Sequence, residues 1–206
     1  MRKFKLSLII AFFGMVTLAG AQSVSYSIKG GLNMSNFYAD DLDDKDMKVG
    51  FHVGIGADLE FAPNIALQTG LFYSTKGAEY LSKDDGDPID VKVSANYLQL
   101  PIHVAYKIDV TPGTKVVLHA GPYIAYGIGG KAKAGTLEMD TFKDDAMLNL
   151  FNGLKPFDAG LGLGVGAEFG PILVDIGWDM GLTNLARASN VDVKNQNAYI
   201  SLGYKF

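Results

Sequence analysis

Along this chain apolar and non-apolar residues take turns. In FDAGLGLGVGAEFG, residues 157–170, one face carries Phe157, Ala159, Leu161, Leu163, Val165, Ala167 and Phe169. The other face is mostly glycine, at 160, 162, 164 and 166, with Asp158 and Glu168 beside them. A helical period would scatter these residues around a circumference; only a period of two separates them. Seven more segments repeat the pattern. YSIKGGLNMSNF sets Tyr26, Ile28, Leu32 and Met34 on one face, and KVGFHVGIGADLEF sets Val49, Phe51, Val53, Ile55, Leu59 and Phe61 against Gly50, His52, Gly54, Gly56, Asp58 and Glu60. IALQTGLFYSTK follows. VKVSANYLQLPIHVAYKI alternates in two phases, and the change between Tyr97 and Leu98 predicts a bulge there. KVVLHAGPYIAYGIG, ILVDIGWDMGL and NAYISLGYKF complete a set of eight strands.

The connections alternate in length. Segments 62–64, 109–113 and 170–171 are tight, whereas 38–48, 81–90, 131–156 and 183–195 are long and mostly polar. An even strand number with short turns on one side and long loops on the other is the pattern of an outer-membrane barrel. Closure also removes the sheet edges that lipid does not tolerate. The predicted fold is therefore all-β: an eight-stranded antiparallel up-and-down transmembrane β-barrel with short periplasmic turns and long extracellular loops. A turn centred on Thr111 places His103 opposite His119. A two-residue turn at Gly170-Pro171 pairs Leu163 with Trp178, Gly162 with Asp179 and Gly166 with Asp175.

Glycine decides which face points outward. A soluble barrel shows its polar face to water, and that face would carry many Lys and Glu. Eight strands enclose a lumen just wide enough for side chains to fill, so large residues on one wall require small ones opposite. Glycine therefore belongs inside and the apolar face against lipid, which argues against the inverted alternative, a soluble periplasmic ligand-binding barrel. Phe51, Phe61, Tyr73, Tyr97, Tyr126, Phe157, Phe169 and Tyr204 lie near strand ends and are expected in the interfacial aromatic girdles.

The N-terminus supports export. MRKFK is basic, LSLIIAFFGMVTLAG is apolar but short for a spanning helix, and Ala19-Gly20-Ala21 has the A-x-A form of a cleavage site. The expected division is a signal peptide over 1–21 and a barrel domain over 22–206. Removing Arg2, Lys3 and Lys5 from the 18 basic residues leaves 15 against 22 acidic ones, a formal charge of −7. That argues against nucleic acid as a partner. There is no cysteine, so no disulfide framework or lipoprotein anchor is available. A hydrophobic content of 48% is too high for disorder, and 25 glycines are too many for long helices.

At NYLQLPIHVAYK (96–107) and IKGGLNMSNF (28–37) the chain resembles the PorT-like outer-membrane β-barrel family of Bacteroidetes. The likeness rests on the G-x-N-x-S opening strand, the Y-L-x-L-P run and the late FDxGLxxGxGxEF segment, and it covers 23–206. It implies a signal peptide, an eight-stranded barrel and an outer-membrane location. The family's namesake is tied to protein secretion, but no motif here transfers that role, and no catalytic residue carries over. Tyr204 and the terminal Phe206 resemble the signal by which such proteins reach the barrel-assembly machinery.

The candidate chemistry lies inside. Lys29, His52, Asp58, Glu60, His103, Lys107, His119, Asp158, Glu168, Asp175 and Asp179 are expected to form a lumen polar network, with Lys76 and Lys205 contributing. His103 and His119 are the candidates for a metal pair, with Asp58, Glu60 or Asp158 as third ligand, although the expectation is a hydrogen-bonded plug and no bound metal. His52 facing Ser74 would be the start of a hydrolase acting on lipid A or phospholipid. Among the loops, DDLDDKD (40–46) and KDDGDP (83–88) are acidic without EF-hand spacing. Phe142, Ala146, Met147, Leu150 and Phe151 recur at helical spacing after a Thr141/Asp144 capping box, predicting a short amphipathic helix. The leading reading is a non-enzymatic surface scaffold without cofactor, with roles in adhesion, envelope integrity or secretion all compatible. Its expected partners are outer-membrane lipid, the assembly machinery and an envelope or extracellular protein met by the loops. A lipid-modifying envelope enzyme is the alternative.

Overall fold

The computed structural model describes residues 23–38, 46–82, 89–134, 137–142, 153–187 and 192–206. Its strands are β1 (Ser23–Tyr38), β2 (Asp46–Ala62), β3 (Ile65–Ser82), β4 (Ile89–Thr111), β5 (Thr114–Ala134), β6 (Leu137–Asp140), β7 (Phe157–Phe169), β8 (Ile172–Gly181) and β9 (Lys194–Lys205). All pairings are antiparallel. The sheet runs β4-β3-β2-β1-β9-β8-β7-β5-β6 and closes through β4–β5, so eight strands form the barrel. The short β6 lies within what reads in sequence as the 131–156 loop. It pairs only with the end of β5 that rises above the β5–β7 pairing.

The tight connections are two-residue turns with one positive φ each: Asn64 at 65°, Gly113 at 81° and Gly170 at 57°. Asparagine and glycine tolerate that conformation, and each turn also contains proline. Stepping between paired residues once around the wall from Lys107, through Val117, Gly166, Asp175, Ser201, Gly31, His52 and Ser74, returns to β4 at Tyr97, ten residues away. That stagger tilts the strands by about 35–45° and fixes a narrow interior. The exterior is the apolar face: Ile28, Phe51, Val104, Leu163, Ile176 and Leu202 are all exposed.

Two expectations are corrected. The β7–β8 register is as predicted, with Leu163 opposite Trp178 and Gly162 opposite Asp179. The β4–β5 register is not. The turn is Pro112-Gly113, closed by Thr111 and Thr114, and β4 carries one extra residue, Val110, beside it, so Ala105 rather than His103 faces His119. The two histidines are diagonal neighbours.

The second correction concerns Tyr97 and Leu98. Inward and outward residues alternate through β4 from Lys92 to Ile108, and the irregularity at this level sits on β5, where Asn96 pairs with Gly129 and Tyr97 with Gly127. What changes phase is polarity. Below this level Leu98, Ile102, Val104, Tyr106 and Ile108 point outward, while His103 and Lys107 are buried inside. Above it Lys92, Ser94 and Asn96 point outward, and Val93, Ala95 and Tyr97 are buried inside. That is the pattern of a strand whose exterior passes from lipid to water between Leu98 and Asn96, with the apolar face moving indoors. Tyr97, expected in a girdle, is a fully buried lumen residue.

Candidate functional site

The lumen is stratified. At the turn end Lys107 Nζ sits among three carboxylates: Asp58 Oδ2 at 2.8 Å, Glu168 Oε1 at 3.1 Å and Glu60 Oε1 at 3.2 Å. Lys205 also pairs with Glu168, and Ser23 Oγ donates to Glu60 at 3.1 Å. The lysine is buried with its charge fully compensated, the condition under which a buried ion is tolerated.

In the middle, His103 and His119 stack with ring centroids 5.2 Å apart and Nδ1 atoms 3.0 Å apart. His119 Nε2 lies 2.9 Å from Asp175 Oδ2. The acids expected as third metal ligands are elsewhere: Asp58 is on Lys107, Glu60 is beside it, and Asp158 lies higher. Both nitrogens of His119 are engaged, and parallel rings do not converge their lone pairs on one ion. Among the described residues no three His, Cys, Asp or Glu side chains are grouped to hold a metal.

Across the lumen His52 pairs in register with Ser74, but its hydrogen bonds go to other residues. Nδ1 lies 2.8 Å from Asn33 Oδ1 and Nε2 2.6 Å from Ser201 Oγ. The asparagine oxygen only accepts, so Nδ1 carries the proton and Nε2 accepts from the serine. That is the polarity of a nucleophile–base pair, yet His52 and Ser201 are both buried inside the wall, away from lipid. Ser74 instead accepts from Asn33 Nδ2 at 3.0 Å.

Higher still, Gln99 Nε2 donates to Asp179 Oδ2 at 2.8 Å. The fully buried Lys76 lies 4.0 Å from the same oxygen, with its ammonium 4.8 Å from the Tyr123 ring centroid and 5.7 Å from that of Tyr97. Asp158 accepts from Tyr123, Asn195 and Thr183. Above these, Phe37, Ala78, Val93, Ala132, Leu154 and Leu185 form an apolar cluster, joined by Phe142 and Val193. Phe142 also packs edge-on to Tyr97, ring centroids 5.6 Å apart. Leu154 and Ala186 bridge the segments that cross the mouth, and Arg187 donates to the Phe142 carbonyl at 2.8 Å. Outside the wall, hydrogen bonds from Lys131 and then Lys133 hold the Glu138 carboxyl below its ordinary range.

The glycines are seats for these groups. A methyl group at Gly164 would lie 2.5 Å from His119 Nε2, and one at Gly166 2.7 Å from Asp175 Oδ2. One at Gly162 would lie 2.8 Å from both Asp179 Oδ1 and His103 Nε2, and one at Gly160 2.7 Å from the Tyr123 ring. Gly31 makes room in the same way for His52 and Gly203 for Lys29. At Gly127 the occupant is the Phe142 ring, 2.2 Å from the position a methyl would take. The alternation in β7 is thus one wall of a fitted interior.

The eleven residues expected in the network all take inward positions, Lys29 beside Gly203 included. The sequence reading missed Asn33, Gln99, Tyr123, Asn195, Asn197 and Ser201; strand parity alone would have added them. Tyr204 and Phe206 are exposed on the outer face. The acidic loop clusters, apart from the backbone of Asp46, and most of the helix expected around 141–151 lie outside the described residues. Of the latter, Thr141 and Phe142 form a turn.

A family model described as outer membrane protein beta-barrel domain matches residues 20–187. No curated protein matches the sequence. Among solved structures, the outer membrane protein OprG of Pseudomonas aeruginosa is 13% identical, covers 91% of this chain and 98% of its own, and has a TM-score of 0.50. Neisserial surface protein A is 13% identical over 90% of this chain and 100% of its own, with a TM-score of 0.49. Ail, the attachment invasion locus protein of Yersinia pestis, is 15% identical over 90% and 100%, with a TM-score of 0.45. At such identities the likeness to OprG is one of fold.

Proposed function

The chain belongs to the outer membrane protein β-barrel domain family, and from that premise we propose that it is a non-enzymatic surface scaffold, a plugged barrel whose four extracellular connections make its contacts. The observation that carries this reading is the stratified lumen. An ionic cluster fills the turn end and an apolar cluster closes the loop end. A conduit needs a continuous polar path, and the described residues leave none at the mouth. A lipid-modifying enzyme needs its nucleophile within reach of lipid, whereas Ser201 and His52 face each other inside the wall. The finer parts of the reading are a signal peptide removed after Ala21, membership of the PorT-like branch of Bacteroidetes, and Tyr204 with Phe206 as the signal read by the assembly machinery.

The test takes the protein from an outer-membrane fraction and compares boiled with unboiled samples by electrophoresis, then reconstitutes it in liposomes. The expected results are a mobility shift, a mature N-terminus at Gln22 and no swelling in small sugars. Swelling would replace the scaffold with a pore. An altered lipid A or phospholipid profile in cells carrying His52→Ala would replace it with the enzyme.

A further inference from the structure

The hydrogen-bond chain through the two histidines has a direction. Asp175 carries no proton as a carboxylate, so it accepts from His119 Nε2–H, 2.9 Å away. In the neutral ring His119 Nδ1 is then an acceptor, and it takes the proton of His103 Nδ1 at 3.0 Å. His103 Nε2 is left as a bare lone pair. It is buried, and it has no hydrogen-bond partner.

Three more acceptors surround the same space. A methyl at Gly162 would touch His103 Nε2 and Asp179 Oδ1 at the same 2.8 Å, so these two atoms flank one point of the wall. Gln99 donates its amide nitrogen to Asp179 Oδ2, which orients its own Oε1 elsewhere, and that oxygen is buried and unpartnered. Asn197 is opposite Asp179 in register, and its Oδ1 is likewise buried and unpartnered. All four side chains line one cavity of about 90 Å³, room for an ion and several waters. The charged lining is Asp58, Asp175 and Asp179 against Lys29. A smaller cavity of about 20 Å³ shares Lys29, Asp58, Gln68 and Asp175 and continues the space toward the turns.

We propose that this space binds one divalent transition-metal cation, ligated by His103 Nε2 and Asp179 Oδ1, with the amide oxygens of Gln99 and Asn197 and water completing its shell. The inference rests on the barrel and its register, not on the scaffold reading. The Lys76 ammonium, 4.0 Å from Asp179 Oδ2, balances that oxygen alone, while His103 Nε2, Gln99 Oε1 and Asn197 Oδ1 have no donor within hydrogen-bond reach. One imidazole among oxygens favours ions such as Zn²⁺ and Mn²⁺ over Mg²⁺. His119 and Asp175 do not touch the ion. They fix the tautomer of the ligating ring, as a carboxylate behind a metal-bound histidine does.

The experiment uses untagged full-length protein folded in detergent micelles, stripped with a chelator and titrated calorimetrically with Zn²⁺, with Mg²⁺ as the comparison. The expected result is one equivalent of Zn²⁺ per barrel and no saturable Mg²⁺. His103→Ala should abolish that equivalent. His119→Ala should weaken binding by about 10- to 100-fold, and His119→Asn, which keeps an acceptor in place of Nδ1, should restore it. His52→Ala removes the only other histidine and should bind as the parent does. Each variant is checked for its heat-induced mobility shift. Should His103→Ala not fold, the ¹⁵N resonances of the parent's rings serve instead, with His103 Nε2 expected to move on adding Zn²⁺ and His52 to stay. Absence of a stoichiometric site in the folded parent, a site that survives His103→Ala, or one lost equally in His52→Ala overturns the proposal.

Discussion

The two ends of the lumen are built from the same strands and filled with opposite chemistry. At the turn end Lys107 is buried among Asp58, Glu60 and Glu168; at the loop end Phe37, Val93, Leu154 and Leu185 are buried against one another. The contrast follows from what lies outside the wall. Where the exterior is lipid, the apolar residues of each strand face outward and the inward positions inherit the polar ones. Where β4 and β5 rise beyond the bilayer, Lys92, Lys131 and Lys133 face water, and the inward residues pack as in a soluble protein. β4 and β5 have 23 and 21 residues against 10 and 12 in β8 and β9, so this soluble-type core stands on one side of the barrel and is roofed by the segments around Phe142, Leu154 and Leu185.

The sharpest way to break the comparison is Lys107→Met. It leaves three carboxylates facing one another without their shared cation, and removing one member of a buried ionic group costs about 3–5 kcal/mol. The urea midpoint of the barrel in micelles at pH 7 should fall accordingly. Adding Asp58→Asn, which removes one of the stranded carboxylates with little change of shape, should recover part of that loss. No recovery would mean that the lysine stem, not its charge, holds the turn end.

Leu185→Ala probes the other end. Leu185 is fully buried in the apolar cluster, and truncating it should cost about 2–4 kcal/mol where the site does not collapse. The effect should be local, since this core sits above the spanning wall and can open without the rest. Faster proteolysis at 153–187 with an unchanged heat-induced mobility shift is the expected signature. Loss of the shift would show that the plug and the spanning wall are one cooperative unit.

Strand number, the inward and outward faces and the β7–β8 register were legible in sequence because a period of two is a strong signal and a Gly-Pro turn has little freedom. The β4–β5 register was not. Moving a turn centre by one residue shifts every pair by two, and a shift of two returns each side chain to the face it left. His103 opposite His119 and Ala105 opposite His119 therefore read equally well, and only the turn at Pro112-Gly113 together with the extra residue at Val110 separates them. The step at Tyr97 was visible but misassigned. A change in phase of polarity has two causes, an extra residue in the strand or a change of solvent behind it, and pattern alone does not tell them apart. The site residues were half legible for a similar reason: charged inward residues announce themselves, whereas Asn33, Gln99 and Ser201 acquire a role only from the neighbours that closure brings.

Glycine gives the finest comparison, between positions that are full and positions that are empty. At Gly164 an added methyl meets His119 Nε2 at 2.5 Å and the Ile176 carbonyl oxygen at 2.7 Å. One of these is a side chain and can yield; the other is backbone of the neighbouring strand and cannot. Gly164→Ala should therefore cost about 1–3 kcal/mol. Gly129 on β5 has nothing within 4 Å of the same position. Gly129→Ala should be neutral, or stabilising by about 0.4–1 kcal/mol through the lost freedom of the unfolded chain. Urea midpoints of the two variants measured side by side decide between two views of the alternation in 157–170. Equal midpoints would make it a preference for flexible, small residues along the wall. A deficit confined to Gly164→Ala would make it the inner surface of a mould, with each glycine placed where a particular side chain from across the lumen comes to rest.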